Sequence, residues 1–255
     1  MHVNRGPVQF SASFAFFGSL SDFFSPSVCD AVSYAFHGAP SLKDAVEALG
    51  VPHVEVDAIV VNGEPATLHR RLRDGDSVAV YPHDVIPGGA VPRLQARPPG
   101  VPLFVADVHL RRLAKTLRLL GFDVVHSPGL TDATIARLAA EAGRIVLTRD
   151  RQLLKHGGLA YGYWVRSTDP ERQVIEVVQR FALGEFVRPF TRCSACNELL
   201  RKVEKDAVRD RIPPRTALWL DEYSECPGCR RLYWWGTHGA RLRALVDSAL
   251  GSSPR

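Results

Sequence analysis

Residues 104–154, FVADVHLRRLAKTLRLLGFDVVHSPGLTDATIARLAAEAGRIVLTRDRQLL, alternate short β-rich runs with longer runs of helical spacing. Leu103 to Ala106 reads as a strand, Val108 to Leu120 as a helix stopped by Gly121, and Asp123 to His126 as a second strand. Asp132 to Ala142 is a helix stopped by Gly143, and Arg144 to Leu147 a third strand. Glycine ends both helices because it alone enters the left-handed region without a Cβ penalty. A short helix after Asp150, a fourth strand from Gly162 to Arg166 and a proline-opened helix from Pro170 to Leu183 continue the alternation. Such βαβα order predicts a parallel sheet with helices on both faces, since parallel neighbours need crossovers and both sheet faces need cover.

In that architecture the side chains just past the carboxyl ends of the strands converge on one crevice. Asp107, Asp150 and Asp169 occupy such positions, and Asp132 opens the second helix. Grouped carboxylates are hard oxygen ligands for Mg²⁺ or Mn²⁺, ions that lower the pKa of bound water and stabilise a phosphodiester under attack. Each aspartate also has a plainer reading. Asp107, Asp150 and Asp169 suit N-caps, and Asp132 suits a first-turn charge opposing the helix dipole. Taken as a set, Asp107, Asp132 and Asp150 favour the chemical reading, whereas capping is favoured for Asp169.

Four of the five cysteines form two CxxC pairs, Cys193/Cys196 and Cys226/Cys229; Cys29 stands alone and reads as a small apolar side chain. Each pair offers two thiolates from one tight turn, so the four predict a closed tetrahedral Zn²⁺ site of structural type. Around them stand Arg188, Arg192, Arg201, Lys202, Arg230 and Arg231 with Tyr233, Trp234 and Trp235. Arginines beside flat rings suit single-stranded nucleic acid. The tryptophans are read first as packing groups and the arginines as RNA contacts.

The net charge of +5 is uneven: residues 1–96 hold 6 Lys and Arg against 10 Asp and Glu, leaving 26 against 17 for the rest. A basic C-terminal part suits a polyanion, because phosphate contacts supply most non-specific nucleic-acid affinity. No apolar run approaches the roughly 18–20 residues of a membrane helix, no membrane partner is expected, and a cytoplasmic location is the default reading.

A Pro/Gly-rich stretch, IPGGAVPRLQARPPGVP at 86–102, reads as the end of one domain and a linker. Upstream, Val8 to Phe17 and Ala31 to Phe36 read as strands. Pro40 to Gly50 reads as a short amphipathic helix capped by Ser41, followed by strands at Val56 to Val61 and Ser77 to Tyr81. Asn62-Gly63 and Asp74-Gly75-Asp76 mark turns. The ββαβ…β order is that of a β-grasp domain. The expected division is 1–89 for a ubiquitin-like β-grasp domain, 90–102 for the linker, 103–187 for the α/β domain and 188–248 for a zinc ribbon and tail.

The 104–154 stretch, followed by RCSACNELL, the second cysteine pair and YWWGTHGARL, resembles the Mut-seven C-terminal RNase family, a PIN-like fold with an appended zinc ribbon. The similarity covers roughly 103–245, with acidic motifs, cysteine pairs and the YW-x-G-x-H ending in the family's order. It implies a metal-dependent nuclease site on Asp107, Asp132 and Asp150, with Thr148, Arg149, Arg111 and Lys115 shaping the site or touching substrate, and RNA as substrate. One departure is Gly239, which follows His238 where the family often has a bulky aromatic; of a ligand, a general acid and a satisfied core histidine, the last is the favoured reading of His238, since four cysteines already supply the metal ligands. The segments PSLKDAVEALGVPHVEVDAIVVNGEPA and RLRDGDSVAVYPHDVIPGG resemble the ubiquitin-like sulfur carriers of thiamine and molybdopterin synthesis. Their chemistry needs a terminal diglycine, but Gly88-Gly89 is followed by further chain, so an adaptor role with a protein partner is expected. A non-catalytic RNA-binding protein on the same fold is the alternative left open.

Overall fold

The computed structural model describes residues 9–25, 31–85, 91–95, 98 and 100–251, apart from the side chains of 237 and 238; Cys29, Gly88-Gly89 and the side chain of His238 thus lie outside the described residues. In chain order, the first half holds β1 (Phe10–Phe16), β2 (Val32–Phe36), α1 (Leu42–Ala48), β3 (Ala58–Val61), β4 (Glu64–Ala66) and β5 (Ser77–Tyr81). Then come β6 (Phe104–Ala106), α2 (Arg111–Leu119), β7 (Val124–Val125), α3 (Asp132–Ala142), β8 (Ile145–Thr148), β9 (Gly162–Trp164) and α4 (Pro170–Arg180). The last are β10 (Arg201–Val203), α5 (Pro214–Ala217), β11 (Tyr223–Glu225), β12 (Leu232–Trp234) and α6 (Thr237–Ala249).

Two compact units result, and they do not follow chain order: one is 1–97 with 150–164, the other 98–149 with 165–255. The first unit is built on a five-stranded sheet of order β2-β1-β5-β3-β4, in which β1 and β5 are parallel and every other pair antiparallel. This is the β-grasp arrangement. Asn62 and Gly63 both adopt positive φ, the condition for the tight hairpin turn joining β3 to β4. Ser41 and Asp44 form a reciprocal capping box on α1. Phe14, Leu20, Leu42, Val46, Ile59 and Val80 are fully buried beneath the sheet, and Trp164 packs against the same core. The 150–164 segment is held there by polar contacts too: Glu55, buried, accepts from the Trp164 amide, Lys155 donates to the Glu47 carbonyl, and His53 Nε2 donates to the Leu159 carbonyl.

The second unit contains the expected parallel sheet, with β6 hydrogen-bonded between β7 and β8 in parallel register, flanked by helices. β6 and β8 are too short to alternate and are buried throughout, as parallel strands covered on both sides must be. Phe104, Phe122, Leu113, Leu117, Ile135 and Val177 fill the space between sheet and helices. Gly121 ends α2 at φ +101°, and a Cβ there would lie 2.4 Å from the Arg188 carbonyl oxygen. This glycine lets the chain at Arg188 and Phe190 donate amides to the carbonyls of Leu120 and Leu119, satisfying the exposed end of the helix. The fourth strand is shorter than the Gly162–Arg166 expected, because the amides of Arg166 and Ser167 are taken by the Glu176 carboxylate. A three-stranded antiparallel ribbon, β10-β11-β12, forms around the second cysteine pair.

Candidate functional site

Asp107 follows β6 directly and stands at the N-cap position of the 3-10 turn Val108–Leu110, yet its carboxylate makes no capping bond. Instead Oδ2 accepts the hydroxyl proton of Thr148 at 2.9 Å. Thr148 is the last residue of β8 and fully buried; Asp107 is 5% exposed. No cation pairs with Asp107 among the described residues. An ionised carboxylate so nearly enclosed and held by one hydroxyl is costly unless a positive charge joins it.

The other residues singled out in the sequence are placed as follows. Asp132, exposed, opens α3, but the cap is Thr131, whose hydroxyl accepts from the Thr134 amide. The Asp150 carboxylate, exposed in the β-grasp unit, accepts from the Gln152 amide at 2.7 Å. Asp169 is a true N-cap, accepting from the amides of Glu171 and Arg172. Arg149 turns its guanidinium onto the carbonyls of Val165, Arg166 and Ser167, which anchors the chain after β9. Arg111 and Lys115 are exposed on α2.

One residue near Asp107 escaped the sequence reading. His126, just past β7, donates from Nε2 to the Val108 carbonyl at 3.3 Å. Burial pushes its pKa below the usual value, with Arg118 and Arg111 adding to the effect, so the ring is neutral at pH 7. Its strand-end position, the same that marks Asp107, was the signal available.

The cysteine centre is built from two matching turns. In each, the first cysteine's amide donates five residues ahead, Cys193 to the Glu198 carbonyl and Cys226 to Arg231. Its carbonyl accepts from four residues ahead, Asn197 and Arg230, both at positive φ. The second cysteine of each pair aims its amide at the first one's sulfur, at 3.5 and 3.4 Å. All four sulfurs lie within 4.8 Å of one another, with Cys193–Cys229 at 3.5 Å and Cys196–Cys226 at 3.3 Å. A disulfide needs about 2.05 Å. A tetrahedron with zinc–sulfur bonds of about 2.3 Å has sulfur–sulfur edges of about 3.8 Å, so the donor set fits one zinc ion. No other such cluster of His, Cys, Asp or Glu donors occurs among the described residues.

Neighbouring groups tune this centre. Burial opposes ionisation of Cys193, but the Tyr233 hydroxyl at 3.1 Å and the Cys196 and Ala195 amides outweigh it and bring the thiol down to about 6. Burial, with the Cys193 thiolate beside it, pushes Tyr233 up to about 12. Arg118, 4% exposed on α2, donates to the carbonyls of Ser194 and Ala195 inside the first turn and to those of Val124 and His126 beside the sheet. Asp123 accepts from Arg144 at 2.7 Å and Asn197 at 3.0 Å and lies 3.3 Å from Arg192. Burial works against its charge, yet these partners keep the carboxyl below the usual range. One buried arginine and one carboxylate thus fasten the cysteine turn to the sheet.

Residues 102–246 match the Mut7-C RNAse domain. The chain belongs to the Mut7-C RNase family. Residues 9–85 match the Mut7-C ubiquitin domain, so the β-grasp sheet is ubiquitin-like by sequence as well as by topology. No curated protein and no solved structure matches the chain. Within the Mut7-C RNase domain, Gly239 has a local explanation: a Cβ there would meet the Trp235 ring at 3.0 Å, and that ring packs edge-on against Phe190. Trp234 packs on Tyr223 in the ribbon core. Of the ribbon cations, Arg192 pairs with Asp123, Arg230 lies 3.2 Å from Glu225, and Arg188 binds nearby carbonyls. Arg201, Lys202 and Arg231 are exposed and carry no ion pair among the described residues.

Proposed function

We propose that this protein is a metal-dependent ribonuclease that hydrolyses RNA phosphodiester bonds endonucleolytically. Asp107 carries the reading: a nearly buried strand-end carboxylate, free of capping duty and with no cation partner among the described residues, in a domain of a ribonuclease family. Asp107 is the residue we place on Mg²⁺ or Mn²⁺, and Asp132 and Asp150 are the further acidic candidates that the family resemblance offers. Bound there, the ion supplies Lewis acidity and a water of lowered pKa. Thr148 positions Asp107 through its hydroxyl. His126, neutral at pH 7, holds the Val108 carbonyl next to Asp107. Arg111 and Lys115 supply positive charge toward a phosphate backbone.

The four cysteines hold zinc in a closed shell whose role is to fix the ribbon. The ubiquitin-like domain serves as an adaptor for a protein partner. Purified protein incubated with structured and single-stranded RNAs, with Mn²⁺, with Mg²⁺ and with chelator, tests the assignment. Metal-dependent products that disappear in Asp107→Asn and Asp150→Asn support it. Equal cleavage by both variants sinks the site, and RNA binding without products at any metal concentration favours the non-catalytic alternative.

A further inference from the structure

In the second unit, a cavity of about 840 Å³ opens between α2, the start of α4, the ribbon strand β12, the Thr216–Trp219 segment and α6. Its size falls within the range of small-ligand sites, roughly 300–1,000 Å³. Aromatic rings form much of its wall: Phe190, Tyr233, Trp234 and Trp219. Phe190 and Trp234 have ring partners, Trp235 and Tyr223 respectively. Trp219 is different. It is 60% exposed, follows the four-residue helix α5, and has no ring partner among the described residues. An indole left so open at the mouth of a cavity is an unused stacking face.

The rim is cationic. Arg112 and Lys115, three residues apart and therefore on one face of α2, are exposed with no carboxylate partner among the described residues. Arg241 also lines the cavity and is engaged by Glu171, the one acidic residue of the lining. Three cations against one carboxylate leave the rim positive. The wall is rigid as well, because the Tyr233 hydroxyl is tied to Cys193 Sγ and to the Ser194 amide, both at 3.1 Å.

We propose that this cavity binds a nucleotide of single-stranded RNA, its base stacked on Trp219 among the aromatic walls and its phosphates on Arg112 and Lys115. An apolar peptide would use the rings but leave the uncompensated cations without purpose. Unstacked RNA uses both, since every base has a π-face and every linkage a negative charge. The inference rests on the ribonuclease reading and adds to it a holding site built from the ribbon and α2, whose lining does not include Asp107.

The test uses the full chain in an Asp107→Asn background, so that RNA stays intact, and fluorescence anisotropy of a 5′-fluorescein single-stranded RNA 12-mer. Trp219→Ala is expected to weaken binding about 5- to 100-fold, with Trp219→Phe recovering most of it. Arg112→Glu with Lys115→Glu should lower the dependence of log K on log salt by about 1.4, the value for two phosphate contacts on a single strand. Quenching of tryptophan emission by RNA should be reduced in Trp219→Phe although binding persists, which a purely structural role would not produce. Unchanged affinity in Trp219→Ala overturns the proposal, and the ribonuclease reading stands if the wild-type chain still cleaves. Absence of both binding and cleavage in the wild-type chain overturns both.

Discussion

The Thr148 hydroxyl donates to Asp107 Oδ2 at 2.9 Å, across neighbouring parallel strands and out of reach of solvent. The carboxylate therefore has a fixed orientation before any ion or substrate arrives. Thr148→Val keeps the shape and removes the donor. Loss of a partner that orients a metal-binding group costs about 10- to 100-fold in metal affinity or activity. The expected result is RNA cleavage that needs more Mn²⁺ and is slower by that factor, with Thr148→Ser restoring most of it. A metal titration of cleavage rate decides; equal Mn²⁺ dependence in wild type and Thr148→Val would show that the bond does no positioning.

Arg118 is buried and its guanidinium donates to four carbonyl oxygens. Burial lowers its pKa, but from a starting value of 12.5, with the charge of Cys193 opposing, so it stays protonated at neutral pH. Arg118→Met fills the space and leaves those carbonyls without their donor. Destabilisation on the order of 3 kcal/mol is expected, together with faster zinc loss to a colorimetric chelator. Thermal melts and chelator kinetics check the two effects separately, and a variant with wild-type zinc retention would mean that the cysteine turn holds itself.

The same residues explain what the sequence disclosed. The alternation of Leu103–Leu147 showed the sheet because parallel strands and their crossover helices carry local signals: apolar runs, glycine stops, a proline start. Both CxxC pairs were legible because spacing alone sets the turn. Arg118 was not, since a buried arginine on a helix looks like any surface arginine until its distant carbonyls are known. Nor was the placement of 150–164 with the β-grasp core, which rests on Glu55 and Trp164, 109 residues apart. Trp219 gave no signal, because exposure of a tryptophan is a tertiary fact.

Asp76, 3% exposed, accepts from Arg70 at 2.7 Å, the Arg73 amide at 2.9 Å and Asn62 at 2.9 Å. The Arg70 guanidinium, more than any other partner, holds its carboxyl below the ordinary 3.8. A carboxylate depressed by folding stabilises above its unfolded pKa, and that stability is lost as pH falls through the folded value. The ubiquitin-like unit should therefore weaken as pH drops below about 4. Asp76→Asn should be less stable than wild type at pH 7 by about 1–3 kcal/mol, and the difference should shrink as pH falls below about 4. Urea midpoints at pH 7, 4 and 3 provide the comparison, and a constant difference across them would contradict the linkage.

The cysteine turns make a prediction about metal removal. Their matched hydrogen bonds fix the backbone of each turn, but four sulfurs within 4.8 Å repel one another once ionised, and Cys193 ionises most readily, at about 6. Without zinc, Cys193 ionises while burial holds Cys196 up to about 12 and raises Cys229, and no ion joins the two turns, so the ribbon core of Val208, Ile212 and Tyr223, too small to fold by itself, should open. The sheet, with Phe104 and Phe122 packed edge-on at 6.0 Å, has its own core and should persist. Chelation at pH 7.5 is expected to make Cys193, Cys196, Cys226 and Cys229 reactive to a thiol reagent while most far-ultraviolet dichroism survives. Cys226→Ser should reproduce the exposure without chelator. Thiols equally reactive before and after chelation would mean that the four cysteines hold no zinc.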